Sequence, residues 1–173
     1  MRTILEAPSR RRQSEFLAAV ARSRRLHGRF ADPPDTPDGF EAYLARLRRS
    51  AHVGYWVCTE NGDLAGVINI NEIVRGRFQS GYLGYYALAP HHRQGHMLRG
   101  LAMVITRAFG VHRLHRLEAN IQPDNAASRE LVGQLGFRRE GLSERYLKIG
   151  ARWRDHERWA ITMEDWRAQR VRR

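Results

Sequence analysis

Three stretches of this sequence combine residue types and spacings that can do chemistry. The first is Pro90-His91-His92-Arg93-Gln94-Gly95-His96-Met97, where a strand-like pattern gives way to a helical one. A helix N-terminus offers unpaired N–H groups and a partial positive charge, which suit a phosphate or pyrophosphate. Gly95 would let the backbone approach such an anion closely, and Arg93 adds a full charge. The stretch lacks the Gly-Lys-Ser/Thr of a Walker loop and the spacing of G-x-G-x-x-G. A plain strand-to-helix turn can carry the same residues, so this stretch alone leaves both readings open.

The second stretch runs from Arg116 to Ser128. A strand runs out at Pro123, and Asn125 stands where a helix N-cap belongs. It is either a capped helix or half of a paired device. Pro supplies no ladder N–H. Two neighbouring strands, one closed by Pro90 and one by Pro123, would then splay and free edge groups for a ligand that behaves as an extended strand. The third stretch is Gly136–Gly141 followed by Tyr146–His156, a turn and hairpin whose aromatics suit a core.

The elements that must position these residues can be read from periodicity. Arg2–Glu6 reads as a strand. Pro8-Ser9 opens a helix to His27, with Phe16, Leu17, Val20 and Leu26 inward and Gly28 as its stop. Three prolines make 31–38 a loop. Phe40, Tyr43, Leu44 and Leu47 mark a second helix to about Arg49. Val53–Thr59, Leu64–Val74 and Phe78–Leu88 form an antiparallel meander, with a hairpin at Asn61-Gly62. A helix from near Gly95 presents Leu98, Leu101, Ile105 and Phe109. His115–Ile121 is a strand, Asn125–Leu135 a helix, and Tyr146–Ile149 with Arg152–Thr162 a hairpin through Gly150. Glu164–Arg173 is a polar tail with Trp166. The strand-helix-strand path from Phe78 to Ile121 makes those two strands parallel. The fold class is α+β with a mixed sheet.

At 173 residues the chain suits one domain, 1–173, with a core that needs no metal or disulfide staple. No apolar stretch is long enough to span a membrane, and Met1–Glu6 has no signal-peptide character, so a cytoplasmic location is the expectation. The single cysteine, Cys58, excludes an internal disulfide and a cysteine zinc cage. The net charge is +12, and Lys148 is the single lysine among thirty basic residues. An acidic partner, nucleic acid or a phosphorylated cofactor, would explain that charge. Arginine-favouring composition explains it as well, because the arginines are scattered along the whole chain.

The order of elements, the Gln94-Gly95 turn opening a helix, and Asn125-x-x-Ser128 followed by Leu135-Gly136-Phe137-x-x-Glu140-Gly141 resemble the GNAT acetyltransferase superfamily. Val74-Arg75-Gly76-x-Phe78, Tyr82-Leu83-Gly84-Tyr85, His115-Arg116-x-x-Ala119-Asn120 and Gly150-x-x-Trp153-Arg154-Asp155-His156 are similar to its RimJ/RimL ribosomal-protein-alanine N-acetyltransferase branch. The resemblance covers about Gly66 to Trp166. It implies a twisted, mostly antiparallel sheet of about seven strands, with a splayed central parallel pair and about four flanking helices.

It also implies site residues. The family's phosphate turn, Gln/Arg-x-x-Gly-x-Gly/Ala, is here His92-Arg93-Gln94-Gly95-His96-Met97, with His92 and Met97 as departures. Backbone donors of Arg93, Gln94, Gly95, His96 and Met97 would hold the pyrophosphate of acetyl-CoA. Ala87, Leu88 and Ala89 would pair with the pantetheine arm, and an N–H there would hold the thioester oxygen. Asn125 would bond the arm from the far side, and Ser128 would protonate the leaving thiolate. Relatives carry a Glu base where Asn120 stands, and Asn120 can only orient a water. Glu118, Glu144 and Glu72 are the carboxylates that remain as base candidates. Asp155 would either bind a cationic amine or pair with an arginine and hold the hairpin.

The implied reaction is acetyl transfer from acetyl-CoA to a primary amine by direct attack on the thioester, with no metal. The implied acceptor is a protein N-terminal α-amine, such as that of a ribosomal protein. The attacking nitrogen must be neutral. An α-amine, with a pKa of ~7.7–8.0 against ~10.4 for lysine, needs only mild help. The alternatives are a small-molecule amine (antibiotic, polyamine or amino acid), a basic nucleic-acid-binding module, and a histidine metal enzyme. A weak non-specific attraction to nucleic acid is compatible with the enzyme. The sequence does not define an oligomeric state.

Overall fold

The structure is a computed structural model and describes residues 2–171. It opens with strand β1 (Thr3–Glu6), a 3-10 turn (Arg10–Arg12) and three helices, α1 (Gln13–Arg22), α2 (Arg24–His27) and α3 (Pro37–Leu47). The meander β2 (Val53–Thr59), β3 (Leu64–Val74) and β4 (Ser80–Ala87) follows. Helix α4 (His96–Gly110), strand β5 (Arg116–Ile121), helix α5 (Ala126–Gln134), strands β6 (Arg138–Ile149) and β7 (Arg152–Thr162) and helix α6 (Met163–Val171) complete it. The seven strands form one sheet in the order β1-β2-β3-β4-β5-β7-β6. Every neighbouring pair is antiparallel except β4 and β5.

The helices divide between the two faces of the sheet. On one face Phe16, Ala19 and Val20 of α1 and Phe40, Tyr43 and Leu44 of α3 pack on Trp56, Val67 and Leu88. On the other, Leu101, Val104, Ile105 and Ala108 of α4 pack on Val57, Ile68 and Ile70. Their spacing of three and four is the apolar stripe of a helix lying on a sheet. Burying each such Leu or Ile contributes roughly 1.5–3 kcal/mol. Arg12 ties the N-terminal turn down. It donates to Glu6, Glu15 and the Gly62 carbonyl, with its guanidinium 5.8 Å from the centre of the Trp56 ring.

Several expectations need correction. Six α-helices are present among the described residues, rather than about four. The expected helix from Pro8 to His27 is broken at Ser23. The Ser23 hydroxyl donates to the Ala19 carbonyl (2.7 Å) and accepts the N–H of Ala89 (2.8 Å), and a hydroxyl turned back on its own helix favours a bend. Leu26 is exposed rather than inward. Strand β6 begins at Arg138 rather than Tyr146. Its pairing with β7 slips at Arg139/Gly141 and Ser143/Leu147, and such bulges erase the alternation by which a strand is read. The expected polar tail is helical from Met163, while Arg172 and Arg173 lie outside the described residues.

Candidate active site

The parallel ladder between β4 and β5 is short. It runs from Ser80↔Arg116 to Leu83↔Ala119 and stops. Strand β4 continues on β3 to Ala87, while β5 continues on β7 to Ile121. The two strands therefore part at Gly84 and Asn120, as a sheet splayed at its centre requires. Beyond the parting lies a cavity of about 350 Å³, within the usual range for a ligand site. Tyr85 and Ala87, Arg93, Gly95 and Met97 of the turn, and Asn125 and Ser128 contribute to its walls, whereas Gln94 and His96 do not.

The polar groups at the end of β4 are partly claimed. The Leu88 N–H donates to the Ala65 carbonyl of β3 (2.8 Å). Peptide groups alternate along a strand, so those of Ala87 face the opposite side, into the gap. The Ala87 carbonyl already bonds His27 Nε2 (2.9 Å), and the Ala89 N–H is held by Ser23. Of the groups expected to meet a strand-like ligand, the Ala87 N–H is left facing the gap.

Helix α4 opens on the cavity. Gly95 is its N-cap, with φ of +77°, a left-handed conformation that glycine adopts without strain. No acidic residue lies in its first turn. The Arg99 guanidinium reaches back to the Gln94 carbonyl (2.9 Å) and past Gly95, so a cation borders the turn. Arg93, His92 and Met97 line the cavity, and buried His92 Nδ1 has no partner. The His96 side chain points elsewhere. Its Nδ1 lies 2.9 Å from Thr3 Oγ1, and burial with nearby Arg99 and His91 holds its pKa below the usual imidazole value. Met97 occupies the space that a side chain on Gly66 would fill, which accounts for a bulky residue at this turn.

Helix α5 lies across the gap. Asn125 Oδ1 caps it by accepting the Ser128 N–H (3.2 Å). Ser128 Oγ stands 2.6 Å from the Tyr85 hydroxyl, and burial pushes that phenol up to about 12. Tyr85 thus remains a neutral donor at physiological pH. If it donates to Ser128 Oγ, the serine proton is free to point into the cavity. Helix α5 is fixed from below by Glu157, a buried carboxylate held by Arg129 (3.1 Å), Arg139 (3.1 Å) and Trp159 Nε1 (3.0 Å). Tyr85 and Glu157 carried no role in the sequence reading. Neither has a local signal, because their partners are distant in the chain.

The carboxylates fare differently. Glu118 shares the Asn120 face of β5 and is bound to Arg116 (2.8 Å), which also grips Glu140. Glu144 is exposed beside Arg145 (3.6 Å) on edge strand β6 and does not line the cavity. Glu72 is exposed, 3.9 Å from His52. Asp155 accepts the backbone N–H of Arg145 (2.7 Å) and so pins the second bulge of β6. Among the described residues, no cluster of three or more potential metal ligands occurs.

Comparison with known proteins identifies the family. Residues 2–138 match the family model for the acetyltransferase (GNAT) domain. The chain is 37% identical over 135 residues to an Escherichia coli [ribosomal protein uS5]-alanine N-acetyltransferase, covering 75% of this chain and 70% of that one. It is 32% identical over 124 residues to a probable N-acetyltransferase, YjcK, of Bacillus subtilis, covering 71% and 68%. Among solved structures, Mycobacterium smegmatis RimJ in complex with CoA-disulfide superposes with a TM-score of 0.82 at 26% identity, over 94% of this chain and 82% of that one. A Vibrio cholerae spermidine N-acetyltransferase shares the fold, with a TM-score of 0.80 at 19% identity over 95% and 97%. The chain belongs to the GNAT acetyltransferase family and is an acetyl-CoA-dependent N-acetyltransferase.

Proposed function

We propose that the acceptor is the N-terminal α-amine of a protein, and that acetyl-CoA lies in the gap between β4 and β5. One observation carries the choice of acceptor. The acceptor side of the parting holds the neutral amide of Asn120, and the nearest carboxylate on that strand, Glu118, is engaged by Arg116. A lysine or polyamine nitrogen would need a strong base there, whereas an α-amine with a pKa near ~8 is partly neutral already. The similarity to a ribosomal-protein-alanine acetyltransferase supports the same choice. The net charge of +12 disfavours a polycation such as spermidine.

The residues fit acetyl-CoA. The first turn of α4, with Arg93 and Arg99 beside it, suits the diphosphate. The Ala87 N–H faces the place for the thioester oxygen, where a fixed donor strengthens as charge develops. The bound thioester supplies an activated acyl carbon. As the N–C bond forms and the C–S bond breaks, the surplus proton of the amine leaves through water. Ser128 Oγ–H gives the departing sulfur its proton and recovers one from solvent, with Tyr85 holding the serine oxygen in place.

The test is a panel of acceptors read by release of free thiol. Peptides with a free α-amine should turn over, the same peptides blocked at the N-terminus should not, and spermidine should be slower by at least about tenfold in kcat/KM. Turnover of spermidine with none of the peptides would overturn the assignment.

A further inference from the structure

On the face of the sheet covered by α1 and α3, three side-chain polar atoms are buried without a hydrogen-bond partner on three adjacent strands. They are Asn71 Oδ1 of β3, Tyr86 Oη of β4 and Asn120 Oδ1 of β5. Register places them together. Asn71 pairs with Tyr82, and Tyr82 with Glu118, so Asn71, Tyr82, Gly84, Tyr86, Glu118 and Asn120 share this face. The ladder ends one step before Gly84 would meet Asn120. The Asn71 amide nitrogen lies 3.0 Å from the point a Cβ on Gly84 would occupy, so Asn71 leans over the glycine toward the parting. Two amide side chains, each with an unsatisfied carbonyl oxygen, therefore border the point where β4 and β5 separate, over the one β4 residue of this face that fills no space.

Buried acceptors without donors destabilise a fold, and they are retained where a ligand completes them. We propose that Asn71 and Asn120 are the seat of the incoming amine and select an acceptor with a single amino group. This rests on the acetyltransferase reading and adds the acceptor subsite to it. A neutral primary amine has two N–H donors and one lone pair. Two amide oxygens take the two donors and leave the lone pair aimed through the parting at the acyl carbon. Neutral oxygens also avoid the penalty of a carboxylate pair, which would favour the ammonium form and raise its pKa. On the strands of this face a further ammonium group of a polyamine would meet Glu118, which is already bound to Arg116.

The experiment compares the wild type with Asn71→Ala, Asn120→Ala and Gly84→Ala. It measures KM for an α-amine peptide, the dissociation constant of acetyl-CoA by calorimetry, and Tm. Each variant should raise the peptide KM by about tenfold or more, with acetyl-CoA affinity within about twofold of wild type. Tm of the two asparagine variants should hold or rise, because no intramolecular bond to either oxygen is lost. Unchanged peptide KM in both asparagine variants overturns the subsite while leaving the enzyme reading intact. A fall in Tm together with acetyl-CoA affinity also overturns it, by showing a structural role. Failure of the wild type to bind acetyl-CoA overturns the enzyme reading and the subsite with it.

Discussion

Ser128 and Tyr85 are 43 positions apart in the chain and 2.6 Å apart in space. That pair shows what one sequence can disclose at the scale of a residue. The helix cap was legible because Asn125-x-x-Ser128 is a capping pattern, and Asn125 is the N-cap. Tyr85, Ser23 and His27 were not, because each acts through a partner on another element. Ser128→Ala should lower kcat by roughly 10²-fold or more, as loss of a general acid does, with acetyl-CoA binding nearly unchanged. Tyr85→Phe should lower kcat by a smaller factor and leave both KM values within about threefold, since it removes only the group that orients Ser128. Steady-state kinetics check both. Equal turnover in Ser128→Ala would remove the serine from the mechanism.

Elements with strong periods and clear stops were readable to within a residue or two. The span of β3 was read without error, and α4 begins one residue after Gly95. Beta-strand β6 was not readable, because its two slips against β7 break the alternation. The bend between α1 and α2 was hidden too, since it depends on Ser23 reaching Ala89, 66 positions away. Gly95→Ala places a side chain at φ of +77° and against the Arg99 guanidinium. It should cost about 1–2 kcal/mol and weaken acetyl-CoA binding, measured by denaturant unfolding and calorimetry. Arg12→Ala removes charged hydrogen bonds to Glu6 and Glu15 and the bond to the Gly62 carbonyl. A loss of about 2 kcal/mol corresponds to a Tm lower by roughly 4–8 °C in a chain of this size. A Tm within a degree of wild type would show that the N-terminal turn is held by apolar packing alone.

For the whole molecule, the arginine-rich composition is partly structural. Arg12, Arg116, Arg129, Arg138 and Arg139 are tied to carboxylates that join separate elements. Stability should also depend on pH through buried and half-buried histidines. His27, His96 and His112 are each held below the usual imidazole pKa, chiefly by burial, with neighbouring arginines adding to the effect at His96 and His112. The unfolded chain takes up these protons near pH 6.5, while the folded protein resists them. The unfolded state therefore binds more protons below that pH. This contribution is complete above about 6.5 and is lost as pH falls through the lowered values. The depressed carboxylates Glu15, Glu140 and Asp165 act in the same direction at more acid pH, below the ordinary carboxylate range. Tm should be lower at pH 5.5 than at pH 7.5, and His112→Gln should flatten part of that slope. A Tm independent of pH over this interval would contradict the burial assigned to the three rings.

The proposed seat of acetyl-CoA is the parting of β4 and β5, with the α4 N-terminus beside it. A thermal-unfolding titration of the wild type with acetyl-CoA tests it most directly. Ligand at about a hundred times its dissociation constant should stabilise the fold by about 2.7 kcal/mol and raise Tm by roughly 5–11 °C, with Gly95→Ala needing more ligand for the same rise. No rise in Tm at millimolar acetyl-CoA would contradict the account.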